Sequence, residues 1–174
     1  MADAPEGIKL GRHRDLQGRG WHIWVRRGLL ALVAVFVLLA LLNVFGQHSS
    51  TARAESAAAA LDVRSPTRVR GGLLWQARFT VEARRELKNA ILVLSEGWLN
   101  GNSINTIEPS PLGQGSRNGS ITFQLGHIPQ GQRYILYLQL QTNPTTFGRR
   151  DADVQLEDDG QQLLSIHRTL TVFP

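Results

Sequence analysis

Leu73-Leu74-Trp75-Gln76-Ala77-Arg78-Phe79-Thr80-Val81-Glu82-Ala83 is the stretch whose reading decides the fold. Leu73, Trp75, Ala77, Phe79, Val81 and Ala83 recur at every second position, with Gln76, Arg78, Thr80 and Glu82 between them. A period of two puts the first set on one face of an extended chain and the second on the other, which predicts a half-buried β-strand.

Working outward, Ile121, Phe123 and Leu125 alternate in the same way, as do Tyr134, Leu136, Leu138 and Leu140. Ala90 to Leu94 is an unbroken apolar run after Leu87, as in a strand covered on both faces. Val154 and Leu156 precede Asp158-Asp159-Gly160-Gln161, and Leu164, Ile166, Leu170 and Val172 follow it, so Asp159-Gly160 reads as a hairpin turn. The interval from Gly97 to Gly119 reads as an irregular excursion, within which Ile104 and Ile107 could add a short strand. Several strands separated by Gly, Pro and Asn, with no amphipathic helix, predict an all-β fold of two packed sheets.

Leu125-Gly126-His127-Ile128-Pro129-Gln130-Gly131-Gln132 links two of these strands. Pro129 presets φ at the second position of a turn and Gly131 suits the fourth. This stretch, with Leu87-Lys88-Asn89-Ala90, resembles the immunoglobulin-like repeat domains of bacterial cell-surface proteins. The resemblance covers roughly residues 73–140 and implies an immunoglobulin-like β-sandwich, present here as a single copy behind an N-terminal membrane anchor. It implies no chemistry, because its motifs are structural.

The anchor is read from Gly28 to Gly46, an apolar run without charge or proline. Nineteen residues at about 1.5 Å each span about 28 Å, enough to cross a bilayer once. Seven Leu, four Val and two Phe favour insertion by about 4 to 8 kcal/mol. Arg26 and Arg27 abut the run and orient the amino terminus to the cytoplasm, while Trp21 and Trp24 suit the membrane interface. The predicted organisation is a cytoplasmic basic tail (1–27), a transmembrane helix (28–46), a Ser/Ala-rich spacer (47–66) and an extracytoplasmic β-sandwich (67–174). In the spacer, Ala57 to Ala60 offer a helical turn and Pro66 a stop. A rival reading is a cleavable export signal, since Ala52-Arg53-Ala54 has the small-x-small form of a cleavage site; the sandwich would then be a secreted domain released after Ala54.

The net charge of +5 divides into a surplus of three in the tail and two in residues 47–174. A mixed-sign surface of that kind lacks the basic stripe of a nucleic-acid binder. The chain has no cysteine, which excludes disulfides and thiolate chemistry. His13, His22, His48, His127 and His167 show no metal-ligand spacing. Asp151, Asp153, Glu157, Asp158 and Asp159 form a dense acidic group without the spacing of a calcium loop. No nucleophile elbow supports a triad drawn from Ser165, His127 and Asp151. The sequence therefore predicts no catalytic, metal or cofactor residues, no small-molecule substrate and no enzyme.

Trp98 stands outside any alternating run, in Gly97-Trp98-Leu99-Asn100. It reads either as a tryptophan folded back to cap the sandwich or as an exposed contact aromatic, extended by Leu99, Ile104 and Ile107 into a partner patch. The functional expectation is a single-pass membrane-anchored accessory or scaffold subunit whose extracytoplasmic domain binds another protein, with an integral membrane protein among the candidates. The alternative is a surface module for envelope polysaccharide, resting on Trp98 and the asparagine-rich loop around Asn100-Gly101-Asn102.

Overall fold

The computed structural model describes residues 20–42 and 47–174, which belong to two separate units, one within residues 1–46 and the other Gln47–Pro174. In the first unit, helix α1 (Gly20–Leu41) begins ahead of the predicted span, so Trp21, Trp24, Arg26 and Arg27 lie within the helix. Trp21–Leu41 is long and apolar enough to cross a membrane, at about 32 Å. Its large apolar side chains are exposed almost throughout. Residues 1–19 of the predicted tail and 43–46 of the predicted span lie outside the described residues.

The described residues of the second unit form β1 (Ser49–Glu55), β2 (Ala59–Pro66), β3 (Arg68–Arg70), β4 (Leu74–Ala83), β5 (Leu87–Leu94), β6 (Asn102–Glu108), β7 (Gly113–Arg117), β8 (Ser120–Ile128), β9 (Arg133–Thr142), β10 (Gly148–Asp151), β11 (Val154–Asp158), β12 (Gln161–Ile166) and β13 (Thr169–Phe173). One antiparallel sheet has the order β1-β2-β4-β9-β6 and another β12-β11-β5-β8-β7. Their inner faces meet in one core that includes Leu61, Phe79, Leu92, Leu94, Phe123, Leu136, Leu138 and Leu156. The domain is thus an all-β, immunoglobulin-like sandwich.

A small third sheet, β10-β13-β3, closes one side. It is built by chains that change sheets: β2 runs past Thr67 into β3, and β12 runs past His167 and Arg168 into β13. β13 and β3 pair in parallel, Val172 opposite Val69. Such switches make the corners at which two sheets are sewn together.

The alternation read around Trp75 is realised in β4, whose odd-numbered residues from Trp75 to Ala83 are all buried. β8 and β9 match their predicted runs, and β11 and β12 form the hairpin, with Asp159 and Gly160 both at positive φ. The turn after β8 is shifted by one residue from the reading above. Gln132 N–H donates to the Pro129 carbonyl, which puts Gly131 at the third position, where its φ of 78° is required.

The predicted spacer is not one: residues 49–66 are the first two strands, and the domain starts at Gln47 instead of residue 67. β1 pairs with β2 from Ser49–Pro66 to Glu55–Ala60, and β2 pairs with β4. Alanine's helical preference is overridden because Ala59, Ala60 and Leu61 are fully buried in the sandwich. Where a helical turn was predicted, Ser56 instead closes a hairpin, its hydroxyl accepting from Ala58 N–H and Ala59 N–H at 3.2 Å each. The interval 97–119 is likewise more regular than expected, containing β6 and β7.

Candidate functional site

Trp98 ends a 3-10 turn, Glu96–Trp98, between β5 and β6. The turn sits tightly on the strand below it, for a Cβ at Gly97 would lie 1.9 Å from the Asp151 carbonyl oxygen. That proximity turns the indole inward. Trp98 is 1% exposed, with its ring 5.3 Å from Phe79 and 5.9 Å from Trp75. Its Nε1–H donates to the Asp153 carbonyl at 3.1 Å, and its own carbonyl accepts from Asn102 Nδ2 at 3.0 Å. Trp98 is therefore a satisfied core aromatic and is not available as a contact residue. Ile104 and Ile107, opposite Leu140 and Leu138 across the ladder, pack against the core, and Leu99 is half-buried. The four residues do not assemble into an exposed patch.

On α1, Trp21 and Trp24 are exposed, and the Arg27 guanidinium lies 5.4 Å from the Trp24 ring centroid. The acidic residues after β10 are engaged locally. Asp153 accepts from Arg168 N–H and pairs with His167 Nδ1 at 3.0 Å, and Asp158 accepts from Asn89 N–H at 2.9 Å. His127 pairs with Glu86 at 2.9 Å. Among the described residues no three His, Asp or Glu come together as a metal site.

Two surfaces emerge that sequence reasoning missed. The first is an exposed apolar end. Leu73 and Leu74 precede β4 or begin it, Phe147 precedes β10 and Phe173 ends β13; they are 45%, 51%, 72% and 47% exposed. Backbone hydrogen bonds gather their loops: Gly71 N–H to the Phe173 carbonyl, Gly72 N–H to the Thr142 carbonyl, and Thr142 N–H to the Leu73 carbonyl. Gly148 pairs with Val172, which sets Phe147 beside the end of β13. No acidic side chain occurs in residues 71–74, 141–148 or 171–174, while Arg70 and Arg149 flank them. Alternation had assigned Leu73 to the inner face; the strand begins one residue later.

The second surface is the outer face of the first sheet, where a recess of about 290 Å³ opens between Gln47, Ser49, Arg64, Pro66, Trp75, Gln76, Arg78 and Tyr137. The sequence signalled only Arg78, on the polar face of its alternating run, because Arg64 fell in the predicted spacer.

A buried arginine holds the sheets together beneath these surfaces. Arg168 stands at the kink between β12 and β13 and is 9% exposed. It donates to the Val63 carbonyl at 2.5 Å, the Ser65 carbonyl at 3.0 Å, and the Ser50 hydroxyl at 2.8 Å. Burial pushes its pKa down, since its partners in this cluster are neutral oxygens.

No protein-family model matches the chain, and no curated protein is similar to it in sequence. Solved structures are similar in fold alone. One is the chitin-binding domain of a chitinase from Pyrococcus furiosus, 15% identical over 67% of this chain and all of that one, with a TM-score of 0.39. A non-cellulosomal cohesin from Archaeoglobus fulgidus is 14% identical over 63% of this chain and 88% of its own, with a TM-score of 0.41. A CARDB domain from Pyrococcus furiosus is 13% identical over 68% and 97%, with a TM-score of 0.38.

Proposed function

We propose that the chain is a single-pass membrane-anchored accessory subunit, with its amino terminus in the cytoplasm and its sandwich outside, and that the sandwich binds another membrane protein. The observation that carries this reading is the apolar end formed by Leu73, Leu74, Phe147 and Phe173, because it lies where the chain enters the domain. β1 starts beside Pro66, the last residue of β2, and that point lies across from the beginning of β4. Only five peptide links separate Leu42 from Gln47, a contour of at most about 18 Å. An acid-free apolar patch of this kind suits a protein surface.

Retention of the anchor is supported by the position of Ala54. It lies inside β1, opposite Leu61, so a cut after it would remove all of the strand except Glu55. The polysaccharide alternative rested on Trp98 together with the asparagine-rich loop, and of these the indole of Trp98 is buried.

Site-specific photo-crosslinking tests the proposal. A crosslinker at Phe147 in the full-length protein in its native membrane is expected to give one discrete product with a membrane protein, abolished in Leu73→Ala/Phe173→Ala. A crosslinker at Gln130, in the turn at the far end of β4 and β9, is expected to give none. Equal products from both positions, or recovery of the protein as a lone monomer in mild detergent with no product from position 147, would overturn it.

A further inference from the structure

The register of β2 and β4 sets Arg64 directly opposite Arg78 on the outer face of the first sheet. Like charges in directly opposed positions of a ladder repel, so this pair costs stability unless something negative lies between them. The same cross-strand row continues to Thr51 on one side and Tyr137 on the other, and neither is an acid. The nearest carboxylates by register are outside the recess. Asp62, one row away, is paired with Arg53 at 3.4 Å, and Glu108 lies beyond Tyr137.

The recess over this pair is lined by the two guanidinium groups, the side-chain amides of Gln47 and Gln76 and the hydroxyls of Ser49 and Tyr137, with Pro66 and Trp75 as its apolar wall. The Nε of Arg78 is buried and has no hydrogen-bond partner within the protein. A buried guanidinium N–H without an acceptor is rare in a folded protein, and here it occurs beside a second unneutralised arginine. Two forked cations with convergent neutral donors are the arrangement that recognises a tetrahedral oxyanion, whose several oxygens each accept one or two hydrogen bonds.

We infer that the recess between Arg64 and Arg78 is a binding site for a phosphate group. Arg64 and Arg78 neutralise it, and Gln76, Ser49 and Tyr137 complete its hydrogen bonds. A phosphate there relieves the repulsion across the β2–β4 ladder and supplies the acceptor that Arg78 Nε lacks. The phosphate could be carried by a lipid headgroup or by a soluble molecule, and the two sources are separable by experiment. The inference does not depend on the apolar end or on a protein partner.

The test uses the full-length protein in nanodiscs of zwitterionic phosphatidylcholine, with the thermal midpoint of the β-domain as readout. One arm adds glycerol phosphate in solution; the other replaces a third of the lipid by phosphatidylglycerol. A saturable rise in midpoint in the first arm identifies a soluble phosphate, and a rise in the second arm alone identifies the headgroup. In either case Arg64→Gln and Arg78→Gln are expected to weaken the response at least tenfold in concentration. Arg133→Gln, on the same sheet but paired with Glu82, is expected to leave it unchanged. Without phosphate, Arg64→Gln is expected to melt no lower than the native protein, because removing one member of a like-charge pair relieves strain; a merely structural arginine would do the opposite. No rise in either arm, or a rise that survives both substitutions, overturns the assignment.

Discussion

Replacing Arg168 with methionine keeps most of the side-chain volume and deletes the side-chain hydrogen bonds by which the β12–β13 corner holds β1 and β2. The native guanidinium reaches the Val63 and Ser65 carbonyls of β2 and the Ser50 hydroxyl of β1, and all of these lie more than a hundred residues away in sequence. Hydrogen bonds from a charged donor contribute about 1.5 to 3 kcal/mol each, but this cation also bears the cost of burial, which its lowered pKa records. A net loss of about 3 kcal/mol follows for Arg168→Met. For a domain spanning residues 47–174 each kcal/mol moves the midpoint by about 4 °C, so the fall is about 12 °C. Arg168→Lys keeps the charge but lacks the fork, and is expected to lose about half as much. The assay is thermal unfolding of the full-length protein followed by near-ultraviolet circular dichroism, with amide hydrogen exchange alongside. Exchange is expected to accelerate first in β1, whose attachment to the corner runs through Ser50. A methionine variant within about 1 kcal/mol of native stability, with β1 still protected, would refute the view that Arg168 ties the corners together.

Two further outcomes are expected. Trp98→Ala empties the space between Trp75 and Phe79 and leaves the Asp153 carbonyl without its donor, so it should cost about 3 to 5 kcal/mol in urea unfolding; a loss of partner crosslinking at unchanged stability would instead return Trp98 to a contact role. A chain beginning at Glu55 should accumulate as aggregate, because β2 then becomes an exposed edge; a soluble monomer of native stability would show that β1 is dispensable and that cleavage after Ala54 is compatible with the fold.

What could be read from the sequence was whatever local periodicity encodes. β4, β8 and β9 each bury alternate large side chains, and the Asp159-Gly160 turn carries its own backbone chemistry. β1 and β2 were invisible because their inward residues include Ala52, Ala54 and Ala59, too small to mark a face and individually biased toward helix. The candidate site suffered from the opposite problem. Trp98 is large enough to mark something, but whether an indole in a glycine-flanked turn points in or out is decided by Asp151 and Asp153, more than fifty residues away. Phe147 and Phe173 reach one end of the domain only because β10 and β13 pair there. The Arg64–Arg78 pair needed β2 to be recognised as a strand before its register could be considered.

β1 takes several structural roles at once. As the outermost strand of the first sheet it presents a free edge, and its composition guards that edge: Arg53 and Glu55 point outward, and short polar strands resist pairing with a second chain. Glu55 is fixed by Arg84 and by Arg53, whose guanidinium groups hold its carboxyl below the ordinary carboxylate range. Ser50 receives Arg168, and Ser49 with Gln47 completes the donor-lined recess. The first residues after the helix thus guard an edge, anchor a corner and wall a candidate phosphate site at once. A flexible spacer would need none of these contacts. Residues from Gln47 onward are thus part of the β-domain itself.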